Sequence, residues 1–482
     1  MFDLRPVAYV TGLLVLVLGV TMLVPMGCDI YFDNGNWPVF FESAVLTIMS
    51  GGMLALATSN GVGPRLTIQQ TFLITTVVWT ALPLFGALPF VLGASGEPLV
   101  NAVFEAMSGM TTTGATVLTG LELRHEGILL WRGMLQWFGG VGIIVVAMVF
   151  LPELRVGGMQ IFRSEAFETM GKILPRAGEI ARQISVIYVV LTVICALTYV
   201  ALGMGTFDAI VHSMTTMSTG GFSTSDASFG AFQGPMEYAA SIFMILASLP
   251  FVRFVQLLAG SARPLFVDTQ VRAYLATILA LTLFFAFYRL FVNGEHLENG
   301  FREAILNVNS IISGTGYASV DYQEWGGIAV VMFFFIGLIG GCAGSTACSI
   351  KVFRYQLLMA SISTQLRRLY APHGVFEPRY EGRKVSEEVL SSVMAFFVMF
   401  FVSLGVVSIL LGLTGLDFVT SVSGAATALA NIGPGLGEEI GPAGTFTNLN
   451  DTAKWILTVS MLVGRLELMA VFVLFTAQFW RG

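Results

Sequence analysis

Four uncharged stretches are the residues of this chain best suited to handling an ion: "MTTTGAT" (Met110–Thr116), "STGGFST" (Ser218–Thr224), "SGTGYAS" (Ser313–Ser319) and "ANIGPGL" (Ala430–Leu436). Glycine tolerates positive φ, so successive carbonyl oxygens can face one lumen and replace the hydration shell of a cation. The hydroxyls of Thr112, Thr113 and Ser218 add further oxygens or brace the turn. Other chemistry finds little support. The histidines His125, His212, His296 and His373 lack metal-ligand spacing, and Cys28, Cys195, Cys342 and Cys348 form no C-x-x-C pair. No nucleophile–base pair stands out in the apolar segments, which argues against a membrane enzyme.

The four stretches follow one template. Each comes directly after an apolar segment of 11 to 15 residues: Leu99–Met110, Phe207–Met217, Phe301–Ile312 and Leu416–Ala430. That length is too short to span and suits a re-entrant helix. Ala102, Ala209, Ala304 and Ser421 each lead by twelve residues to Gly114, Gly221, Gly316 and Gly433. The offset selects Gly221 over Gly220 and aligns Phe222 with Tyr317. Intervals of 107, 95 and 117 residues between these glycines each hold one re-entrant unit and two spanning helices. A fourfold helix, re-entrant helix, filter, helix repeat is the simplest reading. Irregular backbone at membrane depth must be buried or line a cavity, so the four turns should converge on one axis. Each short helix would then aim its negative dipole end at a cation.

The elements that must position these turns are membrane helices. Hydrophobic residues make up 55% of 482 and charged residues 11%, against roughly 25% charged in a soluble domain. We expect an all-α integral membrane protein with about ten spans, near 8–25, 42–58, 70–94, 128–151, 184–203, 236–259, 272–292, 328–350, 391–413 and 453–478. The first run lacks a cleavage pattern and reads as a retained helix. The units divide as two N-terminal helices (1–69), then repeats over 70–182, 183–270, 271–390 and 391–482, the first and third carrying long cytoplasmic loops. With both termini cytoplasmic, the inner segments hold most of the Lys and Arg, including Arg155, Arg163, Lys172, Arg253, Arg263, Lys351, Arg367 and Arg383, and the outer ones are acidic.

Two further features lie away from the turns. "GLIGGCAGSTACSIKVFR" (Gly337–Arg354) sets Gly340, Gly341 and Gly344 beside Ser345 and Thr346, which weakens a helix by about 1 kcal/mol per glycine relative to alanine. Close packing on a neighbour and a broken helix both fit that composition. Arg465 lies deep in the last span, where a lipid-facing cation costs at least about 2.5–3.5 kcal/mol. Glu467 lies on another face, so Arg465 either finds partners in the bundle or faces the pathway. "GGVGIIV" (Gly139–Val145) reads as a small-residue helix contact.

The chain resembles the TrkH, KtrB and HKT superfamily of potassium transporters, and its TrkH branch most closely. The resemblance rests on "MTTTGAT", "MSTGGFST", "SGTGYAS", the "GGMQIFRSE" after the first repeat, two extra N-terminal helices and the arginine of the last helix, and it covers nearly the whole chain. It implies a K⁺ filter built from Thr112, Thr113, Gly114, Gly220, Gly221, Gly314, Thr315, Gly316, Asn431, Ile432 and Gly433. In the HKT branch a serine at the first filter position goes with sodium permeation; here all four positions are glycine, which favours K⁺, with Pro434 marking the fourth copy as the most divergent. Resemblance further implies a broken helix at Gly340–Cys348 obstructing the pore, with Gly340, Gly341, Gly344, Ser345, Thr346 and Arg465 in gating.

The expected activity is potassium uptake across a bacterial cytoplasmic (inner) membrane through a channel-like pore. K⁺ is the permeant ion, and no organic cofactor and no nucleic-acid partner are expected. The alternative is an ion-coupled secondary transporter using Na⁺ or H⁺ symport; the inverted halves of many such folds contrast with four repeats of one orientation. Resemblance also implies a homodimer and a cytosolic nucleotide-binding regulatory ring, TrkA-like. The chain carries no Walker A loop or G-x-G-x-x-G, so nucleotide control has to come from that partner.

Overall fold

Long apolar runs in a bilayer need every backbone hydrogen bond satisfied internally, and the helix does that within one segment. The computed structural model describes residues 3–61, 66–93, 96–149, 158–159 and 177–481. Helices α1 (Arg5–Tyr31) and α2 (Trp37–Gly61) come first. The first unit is α3 (Ile68–Leu92), α4 (Leu99–Met110) and α5 (Glu126–Val146), and the second is α6 (Ala181–Ala201), α7 (Thr206–Met217), α8 (Pro235–Ser248) and α9 (Phe251–Leu258). In the third, α10 (Thr269–Asn293), α11 (Leu297–Ser313) and α12 (Gly327–Gly337) precede a loop and α13 (Val352–Tyr370). A two-stranded hairpin, β1 (Arg379–Tyr380) with β2 (Arg383–Lys384), leads into the fourth: α14 (Glu387–Leu413), α15 (Phe418–Ala430), α16 (Asp451–Arg465) and α17 (Met469–Phe475).

Among the described residues, 7 helices are long and apolar enough to cross a membrane, or 9 if the bent pairs α8–α9 and α16–α17 each count as one span. The apolar α12 has 11 residues. The short helices fall where the sequence puts them. α4 has the expected bounds, α7 starts one residue early, and α15 starts at Phe418 because Asp417 caps it, accepting from the amides of Val419 and Thr420 at 2.9 and 3.2 Å. α11 extends back to Leu297 through a polar first turn that an apolar reading misses. Most of "GGMQIFRSE", with Arg155, Arg163 and Lys172, lies outside the described residues.

Three expected spans are corrected. The helix read as 236–259 breaks by 90° between α8 and α9. Pro250 has no amide hydrogen and holds Leu249 extended, at φ −84° and ψ 155°. The helix read as 328–350 stops at Gly337 and gives way to a loop before Val352, as the broken-helix reading of Gly340–Cys348 has it, and the one read as 453–478 bends by 102° after Arg465. There Glu467 and Leu468 both take positive φ, 57° and 47°. Glu467 pairs with Arg354, whose guanidinium lies 3.8 Å from the Phe396 ring centroid.

Besides helix packing, a buried carboxylate joins the N-terminal pair to the first unit. α1 and α2 meet through Gly12 and Gly51; a Cβ on Gly51 would sit 2.5 Å from the Leu16 amide nitrogen. At the far end Asp29, fully buried, accepts from Asn34 Nδ2 at 2.7 Å, Asn36 Nδ2 at 3.0 Å and the Gly127 amide of α5 at 2.7 Å. Asp29→Ala leaves the Asn36 and Gly127 donors without this acceptor, while Asn34 keeps Glu126 at 2.9 Å, and is expected to cost about 2–4 kcal/mol. The check is the thermal midpoint of the detergent-solubilised protein by size exclusion after heating; a midpoint equal to wild type would show that the tie contributes nothing.

Candidate ion pathway

Each short helix ends within a few residues of its glycine, and the four turns take the same conformation. The residue two before each glycine is left-handed: Thr112 (φ 51°), Thr219 (51°), Gly314 (74°) and Asn431 (51°). So is each glycine: Gly114 (85°), Gly221 (77°), Gly316 (80°) and Gly433 (111°). Between them, the amides of Thr113, Gly220, Thr315 and Ile432 each bond back to the carbonyl five residues earlier, on Ser108, Thr215, Ser310 and Thr427, at 2.8 to 3.1 Å. One helix-capping geometry is thus repeated four times.

The turns also close on one another. A Cβ built on Gly114 would lie 2.2 Å from the Gly220 oxygen, and on Gly221 1.8 Å from the Thr315 oxygen. On Gly316 it would lie 2.0 Å from the Ile432 oxygen, and on Gly433 2.9 Å from the Thr113 oxygen. First abuts second, second third, third fourth and fourth first, so the strands form a ring. All four glycines line one cavity of about 60 Å³ on the side where Arg132 and Asp226 lie. At that rim the Ser225 hydroxyl donates to Glu122 Oε1 at 2.6 Å, which holds the Glu122 carboxyl below the usual range.

The ring is rich in acceptors without donors. Thr112, Thr113, Thr315, Asn431 and Ile432 are buried. Among the described residues, the carbonyls of the three residues ending in each filter glycine meet a protein donor at one place: Gln136 Nε2 donates to the Gly220 oxygen at 2.6 Å. Buried carbonyls are normally paired, so a row of unpaired ones facing the ends of four helices favours positive charge. The side chains brace. Thr113 Oγ1 bonds Thr111 Oγ1 at 2.8 Å and accepts from Asn431 Nδ2 at 2.9 Å, joining first strand to fourth. Gln136, which the sequence reading passed over, also accepts from the Phe222 amide at 3.0 Å. Gly139 and Gly140 let α5 approach the helix ends closely: a Cβ on Gly139 would lie 2.0 Å from the Met110 oxygen.

The loop between α12 and α13 lies against the end of the ring nearest the short helices, opposite the cavity. Its Cys348 and Ser349 amides donate to the Ser313 and Ala430 carbonyls at 3.2 and 2.9 Å, the residues three before Gly316 and Gly433. Cys348 Sγ lies 3.5 Å from Thr112 Oγ1 and accepts from Arg465 Nη1 at 2.6 Å. Sequence reasoning placed Cys348 inside the loop without a role; in the fold it joins ring, loop and Arg465. The other loop residues face elsewhere. Gly340 packs on the Cys348 carbonyl. Gly344 and Thr346 dock on the α8–α9 break, the Phe251 amide donating to the Gly344 carbonyl at 3.0 Å and Thr346 giving its amide and hydroxyl to the Ala247 carbonyl, while the Ser345 hydroxyl donates within the loop to the Cys342 carbonyl at 2.6 Å. Gly341 lies against Ser248. Helix carbonyls freed by Pro250 are therefore taken up by a loop of the next unit. No trio of His, Cys, Asp or Glu among the described residues is placed to hold a metal.

Comparison with known proteins gives one family. Residues 36–481 match the TrkH family, described as cation transport proteins. The Trk system potassium uptake protein TrkI of Halomonas elongata is 41% identical over 99% of this chain and 97% of its own length. The Trk system potassium uptake protein TrkH of Escherichia coli is 36% identical over 99% of both. The crystal structure of the potassium transporter TrkH from Vibrio parahaemolyticus superposes with a TM-score of 0.92 at 33% identity, covering 99% of this chain and 100% of that one.

Proposed function

The chain belongs to the TrkH family of cation transport proteins, and from that premise we propose that it is a multi-pass membrane pore for potassium uptake, with the ring as its selectivity filter. The closed ring of buried carbonyls without donors carries this reading. A K⁺ ion entering it would exchange water oxygens for those of Thr112, Thr113, Gly114, Gly314, Thr315, Gly316, Asn431, Ile432 and Gly433, while the Gly220–Gly221 strand, clamped by Gln136, offers fewer. Below the filter, the Gly340–Cys348 loop and Arg465 are the gate: the loop fills the path and the guanidinium repels a cation that approaches it. Conduction is channel-like, both termini are cytoplasmic, and two copies pair in the membrane. A cytosolic nucleotide-binding ring would act on the loop through α13 and the hairpin.

Rubidium uptake into proteoliposomes tests this directly. Vesicles carrying the protein are expected to accumulate Rb⁺ down an imposed K⁺ gradient, faster with the regulatory ring present, and to exclude Na⁺. Gly114→Ser is expected to admit Na⁺. Absence of Rb⁺ uptake with and without the ring would sink the pore reading.

A further inference from the structure

The unequal element among the four filter strands is what holds each of them from behind. Nine residues before the filter glycine, the four short helices carry Glu105, His212, Asn307 and Gly424. The first three are fully buried, and each reaches past the turn to the strand two or three residues beyond its glycine. Glu105 accepts from Thr116 Oγ1 and the Val117 amide, both at 2.9 Å. His212 Nε2 bonds Ser223 Oγ at 3.0 Å while Nδ1 bonds the Asp208 carbonyl at 2.8 Å. Asn307 Nδ2 donates to Ser319 Oγ at 3.0 Å and Oδ1 accepts from the Ser319 amide at 3.3 Å. In the fourth copy the position is glycine, and Ser423, one residue earlier, accepts from the Leu436 amide at 2.9 Å.

We propose that Glu105, His212 and Asn307 are positioning residues for ion selectivity, each fixing the outer end of its filter strand to its own short helix; this rests on the ring being the filter. None of them lies among the residues that bound the ring, so they act through the strand. A filter tells K⁺ from Na⁺ only if its oxygens resist closing on the smaller ion, and a strand anchored at both ends resists more than one anchored at the helix end alone. The first brace is the stiffest because it is charged. Arg132 Nε donates to Glu105 Oε1 at 2.8 Å, its Nη1 to the Ser223 carbonyl at 2.6 Å, and its guanidinium stacks 4.1 Å from the Phe222 ring centroid. One buried ion pair thereby ties the first strand to the second.

The test is the ratio of Rb⁺ to Na⁺ uptake, which is independent of how much protein each vesicle holds. Glu105→Gln keeps shape and removes the charge opposite Arg132. It is expected to lower the ratio by about tenfold, equivalent to about 1.4 kcal/mol between the two ions. Ser319→Ala and Ser223→Ala, each deleting one hydroxyl at the strand end, are expected to lower it less, and they carry the test if Glu105→Gln fails to assemble. Variants that conduct with the wild-type ratio, or that lose both ions in equal proportion, overturn the proposal. Wild-type vesicles that take up no Rb⁺ would instead overturn the pore reading beneath it.

Discussion

Gly221→Ala is expected to abolish Rb⁺ uptake, and among the four filter glycines alanine at Gly433 is expected to be tolerated best. Left-handed strain alone does not set this order. It costs about 1–2 kcal/mol for a residue with a Cβ, and Thr112, Thr219 and Asn431 already bear it in the same turns at φ 51°. What differs is the neighbour. The new methyl carbon would lie 1.8 Å from the Thr315 oxygen at Gly221, 2.0 Å from the Ile432 oxygen at Gly316 and 2.2 Å from the Gly220 oxygen at Gly114, against 2.9 Å from the Thr113 oxygen at Gly433. The first three distances are far inside contact between backbone atoms that sit in a tightly packed ring, so the next strand must move and its coordinating oxygens with it. At Gly433 the overlap with the Thr113 oxygen is the smallest of the four, so the neighbouring strand moves least, although the φ of 111° strains alanine there too. Uptake at matched protein content checks the order, and Gly221→Ala transporting as wild type would mean that the strands do not close as described.

That four turns belong to one ring was legible because Gly114, Gly221, Gly316 and Gly433 are locally obligatory: each needs positive φ and no side chain, and those needs recur at one offset from Ala102, Ala209, Ala304 and Ser421. The braces were written at the same offset, three residues after those aligned positions, but in three different chemistries and a glycine. A carboxylate, an imidazole and a carboxamide share no pattern until the strand they hold is known. Gln136 was hidden for a similar reason, since one amide inside the long apolar α5 looks like any half-buried polar residue until the Gly220 carbonyl is placed against it.

The helix breaks were hard to read for a different reason. Apolar composition runs unbroken through Ser248–Phe251, and proline is admitted in membrane helices when other groups take up the freed carbonyls. Whether that happens depends on the loop of the next unit, through the Thr346 and Cys342 amides on Ala247 and Ser248. The break and the loop explain each other; the glycines of the loop mark it in the sequence, whereas the break at Pro250 is not visible from its own segment. The bend after Arg465 has no proline at all. It relies on two non-glycine residues in left-handed conformation and on Glu467 meeting Arg354, more than a hundred positions away in sequence.

Arg465→Gln is expected to raise Rb⁺ uptake measured without the regulatory ring, whereas Arg465→Lys is expected to leave it low. Arg465 is buried at the end of α16, and its guanidinium reaches the ring through a single thiol, with Cys348 Sγ between Arg465 Nη1 and Thr112 Oγ1. Its remaining contacts are weak: Nη2 lies 3.5 Å from the Gly139 carbonyl, and Nε has no hydrogen-bond partner. Among the described residues no carboxylate pairs with it, and Glu467 is taken by Arg354. At a separation of about 8 Å, a unit charge would raise the energy of a cation in the Thr112 end of the ring by about 2 kcal/mol at an effective dielectric of about 20. If that repulsion limits exit, removing it speeds flux by up to about thirtyfold. Glutamine and lysine separate charge from bulk: both shorten the side chain, and only lysine keeps the cation. Equal uptake by the two variants would mean that the side chain obstructs by size, and the loop around Cys348 would then be the whole of the gate.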